Sequence, residues 1–302
     1  MLSLHTNAAA LSAQNSISRT QMSLSTSQTR LSTGFRVNSA MDDAAGLQIA
    51  TRLKAQSSGM AMAMRNTQNS ISMLQTAEGA FDEVTTMLTR MKDLATQAAD
   101  ASSTAKDQAA LQSEFDALGS ELNNVMKNTT FGGAKLLDGG TIASAMTFQI
   151  GATKSETMSI DLSTAMTALT GTALANVSAR YAAGGSAVGS EISDGTDGTA
   201  AGATNTTGQT NANNAIDTIT TAIDQVGGVR SSLGAAANRL DHVYNNLSNI
   251  STNTKAATGR IMDTDFASES SNMTSSQMLL QAGTAMLKQS NSTSSLVMSL
   301  LQ

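Results

Sequence analysis

The chain has 302 residues and a formal net charge of −5, from 18 basic and 23 acidic side chains, with no Cys, Pro or Trp. This balance supplies no basic stripe for nucleic acid, and the missing thiols exclude disulfides, thiolate metal sites and cysteine nucleophiles. No apolar stretch approaches the roughly 18 residues of a membrane span. Apolar content is mostly Ala, Leu, Ile and Met, with six Phe and two Tyr as the only aromatic residues. Those are helix formers suited to thin helix–helix seams rather than a broad core. The N-terminus, MLSLHTNAAALSAQ, lacks the basic start and apolar run of a cleaved signal peptide, so any export is expected to use another route.

Residues 3–35 carry a thin apolar stripe of Leu4, Leu11, Ile17, Leu24, Leu31 and Phe35 among Ser, Thr and Gln. Alone, such a helix buries too little to offset its ordering entropy. It is expected to be disordered in a free monomer and helical in an assembly. At Ser39 and Asp42 a capping-box-like pattern predicts the start of a long helix over 41–99. Met60, Thr67, Leu74, Phe81 and Leu88 stand seven apart in it, as in a supercoiled seam. Thr104 with Asp107 is expected to cap a second helix ending near Asn128, whose stripe runs Leu111, Phe115, Leu118, Leu122 and Val125. The short connection implies antiparallel packing of the two.

The period then changes. Residues 147–150 and 157–162 alternate like strands around a turn at 151–156, which predicts a hairpin. A short helix over 163–169 follows. Residues 182–210 are low in complexity, with three acids and no Lys or Arg. They read as an exposed loop or flexible excursion. A long helix is expected from Asn211 to about Ala257, with Ile219, Val226, Leu233, Leu240 and Leu247 seven apart and Gly227-Gly228 loosening it locally. Beyond Gly259, Phe266, Met273, Leu280 and Leu287 again step by seven, and the chain closes on an apolar tail with Leu296, Leu300 and Leu301. Exposed apolar tails mark interfaces. The expected fold is mostly α: a long antiparallel coiled-coil rod with N- and C-terminal segments paired, a small β-hairpin region and a short flexible central insert.

Little in the chain carries chemistry. His5 and His242 belong to no metal-ligand pattern. The Gly pairs at 132–133, 139–140 and 184–185 lack the strand–loop–helix setting of a phosphate cradle. Asp42 and Asp43 are explained by a helix start. No catalytic residue, cofactor or metal is expected.

The segment 31–46, LSTGFRVNSAMDDAAG, resembles the N-terminal signature of bacterial flagellin. IMDTDFA at 261–267 and QAGTAML at 281–287 are similar to its C-terminal signature, and FQIGA at 148–152 to its hairpin. The resemblance covers roughly 1–175 and 211–302. It departs at 289–293, QSNST, which lacks the proline common there in flagellins. It implies a non-enzymatic, secreted subunit that polymerises into the flagellar filament. A terminal domain (1–40 with 258–302) would line the channel, a helical rod domain (41–175 with 211–257) would pack outside it, and 176–210 would face solvent. Assembly contacts are expected from the apolar residues named at both ends. Implied partners are further copies of the chain, an export chaperone on the C-terminal tail, and cap and hook-associated proteins. TRMKDLATQ at 89–97 also resembles the stretch recognised by the vertebrate Toll-like flagellin receptor, with Arg90, Leu94 and Glu114 at the matching positions. A hook–filament junction protein is the structural alternative. A secreted enzyme on the same frame would need a catalytic motif within 182–210, and that segment holds none. A coiled-coil signalling adaptor would have tails already helical in the monomer.

Overall fold

The computed structural model describes residues 7–185, 189–195 and 205–300, the last seven by backbone alone. The chain divides into two compact units, Met1–Ser58 with Ile250–Gln302, and Gly59–Asn249. This division follows packing, whereas the boundaries at 40/41 and 257/258 follow changes of helical signal.

In the first unit, helix α1 (Ala8–Thr33) starts at Asn7, whose side chain accepts from the Ala10 amide at 3.1 Å. It stops at Gly34, which adopts φ 76° and donates to the Arg30 carbonyl at 2.8 Å. A side chain there would strain the left-handed backbone that ends the helix. The link that follows crosses to the other end of the sequence. Arg36 N donates to the Met262 carbonyl at 2.6 Å, and Thr264 N to the Gly34 carbonyl at 3.0 Å. The Ser39–Asp42 pattern forms, but as a separate turn. Asp42 Oδ2 accepts from the backbone of Ser39 and Asn38 at 2.9 and 3.1 Å, which holds its carboxyl below the usual carboxylate range. Helix α2 (Ala44–Ala98) is instead capped by Asp43, whose Oδ1 accepts from Gly46 N at 2.8 Å. The expected start at 41 is thus displaced by one turn of chain.

The second unit is built on the heptads. Met60, Thr67, Leu74, Phe81 and Leu88 of α2 are all buried. So are Ile219, Val226, Leu233, Leu240 and Leu247 of α7 (Asn205–Met262), which runs unbroken through Gly227-Gly228. Helix α3 (Ala105–Asn128) carries the expected capping box: Thr104 Oγ1 accepts from Asp107 N at 3.3 Å, and the Asp107 carboxylate accepts from Thr104 N at 3.0 Å. Phe115 and Leu122 are its fully buried anchors. After it come two small antiparallel ladders. Strands β1 (Thr130–Phe131) and β2 (Ala134–Lys135) flank Gly132 and Gly133, whose positive φ values of 59° and 86° suit a tight hairpin turn. Strands β3 (Met146–Gln149) and β4 (Thr157–Ile160) form the expected hairpin, with Met146 opposite Ile160. Short helices α4 (Ser163–Ala168), α5 (Leu174–Val177) and α6 (Ala179–Ala182) close this region, with a π-helical turn at Leu169–Ala173 between the first two. Tyr181 on α6 is buried in the core, which pushes its phenol pKa up, and Asp138 adds to the rise.

The reading of 182–210 as an exposed excursion needs correction in two places. Residues 205–210 already belong to α7. Residues 189–195 are bound to α3: Gly189 N donates to Asp116 at 3.3 Å and Ile192 N to Gln112 Oε1 at 2.8 Å, while the Ile192 side chain is fully buried. One apolar residue among small polar ones leaves no periodic signal, yet it suffices to plug a core. The remainder of 182–210 beyond these stretches and 182–185 lies outside the described residues. The last helix, α8 (Phe266–Leu300), starts at Asp265, whose carboxylate accepts from Ser268 Oγ at 2.9 Å and Ala267 N at 3.0 Å. Those bonds, led by the one from Ser268, hold the Asp265 carboxyl below the usual range.

Candidate assembly interface

Helices α1 and α8 pack antiparallel within the first unit. Asn7 Nδ2 donates to the Ser290 carbonyl at 3.3 Å at one end, and Thr264 N meets Gly34 O at the other. Of the residues named from sequence, Ile17, Leu24 and Leu31 on α1 and Met273, Leu280 and Leu287 on α8 are half-buried. Close approach is evident at Gly283, where an added Cβ would lie 2.9 Å from Ile17 Cγ1. Leu11, Phe35 and Phe266 remain exposed, at 57%, 44% and 57%. Leu4 and Leu301 lie outside the described residues, and Leu296 and Leu300 are described by backbone alone.

One polar group interrupts the apolar seam. Glu269 is only 7% exposed; its Oε1 accepts from the buried Ser27 hydroxyl at 2.6 Å, and its Oε2 lies 3.6 Å from Arg30 Nη1.

Sequence reasoning missed a second set of apolar side chains. Met22, Met278, Leu279 and Met286 are more than half exposed. The signal was present: Leu279-Leu280 and Met286-Leu287 are adjacent pairs. Neighbours on a helix point about 100° apart, so one of each pair must leave the seam. The distribution over the described residues is lopsided. Leu11, Met22, Phe35, Met41, Ile49, Ile250, Phe266, Met278, Leu279 and Met286 are exposed in the first unit, against Met62 alone in the second.

The patch named for receptor contact is only partly assembled. Arg90 on α2 and Glu114 on α3 are both exposed and joined, with Arg90 Nε and Nη2 at 2.9 and 2.6 Å from Glu114 Oε1. Leu94 is not on that surface. It is 1% exposed and continues the buried row of Met87, Met91 and Ala98, a core spacing that takes precedence over its nearness to Arg90.

Among the described residues no helix is long and apolar enough to cross a membrane, and no group of three or more His, Asp or Glu is placed to hold a metal ion. Long helices, a solid core in one unit and unpartnered apolar side chains on the paired ends of the other define a self-assembling structural subunit. The relatives agree. Residues 4–141 match the bacterial flagellin N-terminal helical region and residues 216–301 the bacterial flagellin C-terminal helical region. Flagellin A of Vibrio anguillarum is 34% identical, covering 100% of both chains, and a flagellin of Halalkalibacterium halodurans is 38% identical over 90% of each. The fold is similar to a structure assigned to a flagellar hook-associated protein from Vibrio parahaemolyticus, with a TM-score of 0.57 and 17% identity over 74% of this chain and 100% of that one. The chain belongs to the bacterial flagellin family, a structural subunit of the extracellular flagellar filament and not an enzyme.

Proposed function

We propose that this subunit polymerises by coupled folding and assembly, with α1 and α8 as the segments that order on contact with neighbours. The supporting observation is the concentration of exposed large apolar side chains in the first unit. Fully burying one such side chain contributes about 1.5–3 kcal/mol, which adds to the α1–α8 seam and its backbone hydrogen bonds against the ordering entropy of thin, Ser/Thr-rich helices. A contact between unlike surfaces that does not close into a ring extends as an open helix of subunits. In this reading 1–40 with 258–302 forms the inner layer of the filament. The rod of 41–175 with 211–257 packs outside it; of the expected solvent-facing segment 176–210, Val177, Tyr181 and Ile192 belong instead to the core and 205–210 to α7. Export runs through a flagellar type III channel, with a chaperone on the C-terminal tail. Cap and hook-associated proteins meet the two ends of the filament.

The test is to seed purified monomer with short filaments while recording far-UV circular dichroism and electron micrographs. Helicity is expected to rise in step with filament growth. A fully helical monomer that never elongates seeds overturns the reading.

A second reading, supported by the exposed Arg90–Glu114 pair, is recognition of the monomer by the vertebrate Toll-like flagellin receptor. An exposed ion pair adds little to stability, so Arg90→Ala should leave folding intact. It is expected to weaken receptor signalling by about tenfold or more, as for an Arg hot spot. Unchanged potency of the variant removes this reading. Leu94 is better placed to support the helix than to touch a partner.

A further inference from the structure

Two heptad rows facing each other do not by themselves fix how their helices slide. The α1 row of Ile17, Leu24 and Leu31 and the α8 row of Met273, Leu280 and Leu287 both repeat every seven residues. Moving α8 by one heptad therefore returns apolar side chains opposite apolar ones. The bridge between Phe35 and Asp263 and the Gly34–Thr264 bond are backbone contacts, and the Arg36 guanidinium bonds only the Ile261 carbonyl, so none of them reads the side chains along the seam.

We propose that Glu269 sets the register of the α1–α8 pair, through its hydrogen bond with Ser27 and its ion pair with Arg30. The inference rests on the reading of α1 and α8 as the polymerising segments. A carboxylate withdrawn from water and left without a partner is strongly destabilising. In the observed register both oxygens are engaged. A slip of one heptad brings Thr20 or Gly34 to the place of Ser27, and Ser23 or Val37 to the place of Arg30. Neither alternative supplies a cation. Gly283 acts in the same sense as a notch for Ile17, because a one-heptad slip puts Ser276 or Ser290 there instead. The wrong registers thus keep the apolar contacts but strand a charge and fill a gap. Burying a polar group in an otherwise repetitive seam selects one register at some cost in stability. Ser27 and Arg30 are positioning residues that act through Glu269.

The absence of native cysteine makes the register directly measurable. In the full chain, Asn7→Cys with Ser290→Cys reports the observed register, since these side chains are hydrogen-bonded. Gln14→Cys with Ser290→Cys, and Gln14→Cys with Ser276→Cys, report slips of one heptad in each direction. Mild oxidation and denaturing gels read the intramolecular products in seeded filaments and, through transient α1–α8 pairing trapped by the disulfide, in unpolymerised protein. With native Glu269 the first pair is expected to cross-link and the other two to remain reduced. With Glu269→Leu, helicity should hold or rise while the preference for the first pair falls by about tenfold or more, the change expected on losing a charge-assisted hydrogen bond. Ser27→Ala should shift the ratio in the same direction but less, a response that simple loss of helix would not give. If Glu269→Leu fails to fold, the Ser27→Ala ratio decides. Glu269→Leu or, in that case, Ser27→Ala retaining only the first cross-link overturns the register assignment. A chain with native Glu269 that cross-links through the first pair yet never elongates seeds overturns the assembly reading and leaves the register assignment standing.

Discussion

Removal of residues 266–302 is expected to abolish filament formation while leaving the second unit folded. The deletion takes away all of α8, 35 residues, and with it the partner of the 26-residue α1. Ile17, Leu24, Leu31 and Ser27 then lose their cover, and a helix of that composition does not persist alone in water. The main core, by contrast, is drawn from residues between 74 and 240 and takes nothing from the deleted segment. Seeded solutions of the truncated chain should show no elongation by electron microscopy. Its circular dichroism should lack the rise that accompanies filament growth in the full chain, and a cooperative thermal transition should remain. Filaments of ordinary length from the truncated chain contradict the role given to α8. Loss of the cooperative transition contradicts the independence of the second unit.

Phe81→Ala should be among the most damaging single substitutions in the second unit. Phe81 is fully buried, and the chain has only six Phe and no Trp from which to build large contacts. It lies in the heptad row between Leu74 and Leu88, both also buried, so the neighbouring turns are held on each side and cannot collapse freely into the gap. Truncating such a ring costs about 3–5 kcal/mol, which for a unit of this size corresponds to a fall in melting temperature of about 6–20 °C. Denaturant unfolding of the monomer measures it. A loss below about 1 kcal/mol would mean that the site relaxes around the smaller side chain.

Much of the second unit was legible because its information is periodic and local. Both heptad rows, from Met60 to Leu88 and from Ile219 to Leu247, are buried throughout. The Thr104–Asp107 box and the β3–β4 hairpin occur where turn and cap chemistry place them. What escaped was set by single contacts over long sequence separations. The burial of Ile192 depends on Gln112 and Asp116, some eighty residues earlier. Ser27 and Glu269 are unremarkable until their helices are laid side by side. Leu94 matches the family motif but follows the core spacing of Met87, Met91 and Ala98, so it is buried rather than on the Arg90 surface. The Ser39–Asp42 pattern was real but local, and Asp43 won the helix start by bonding Gly46. Exposed Met22, Met278, Leu279 and Met286 lie off the heptad stripe, so the seven-residue spacing that marks the seam does not mark them.

The distance along the chain between α1 and α8 has a kinetic consequence. The Ser27–Glu269 bond spans 242 residues of sequence, and contacts so remote form slowly because a very large loop must close first. The second unit shortens that search. Once Met60 and Leu247 have met in their own small cluster, only the flanking arms are left to find each other. The expected order is a fast, self-contained collapse of 59–249 in the monomer and a slower zipping of the ends as the subunit joins a filament. Stopped-flow refolding of the monomer would then show the first phase, and a later phase sensitive to changes in α1 or α8 would appear when seeds are present.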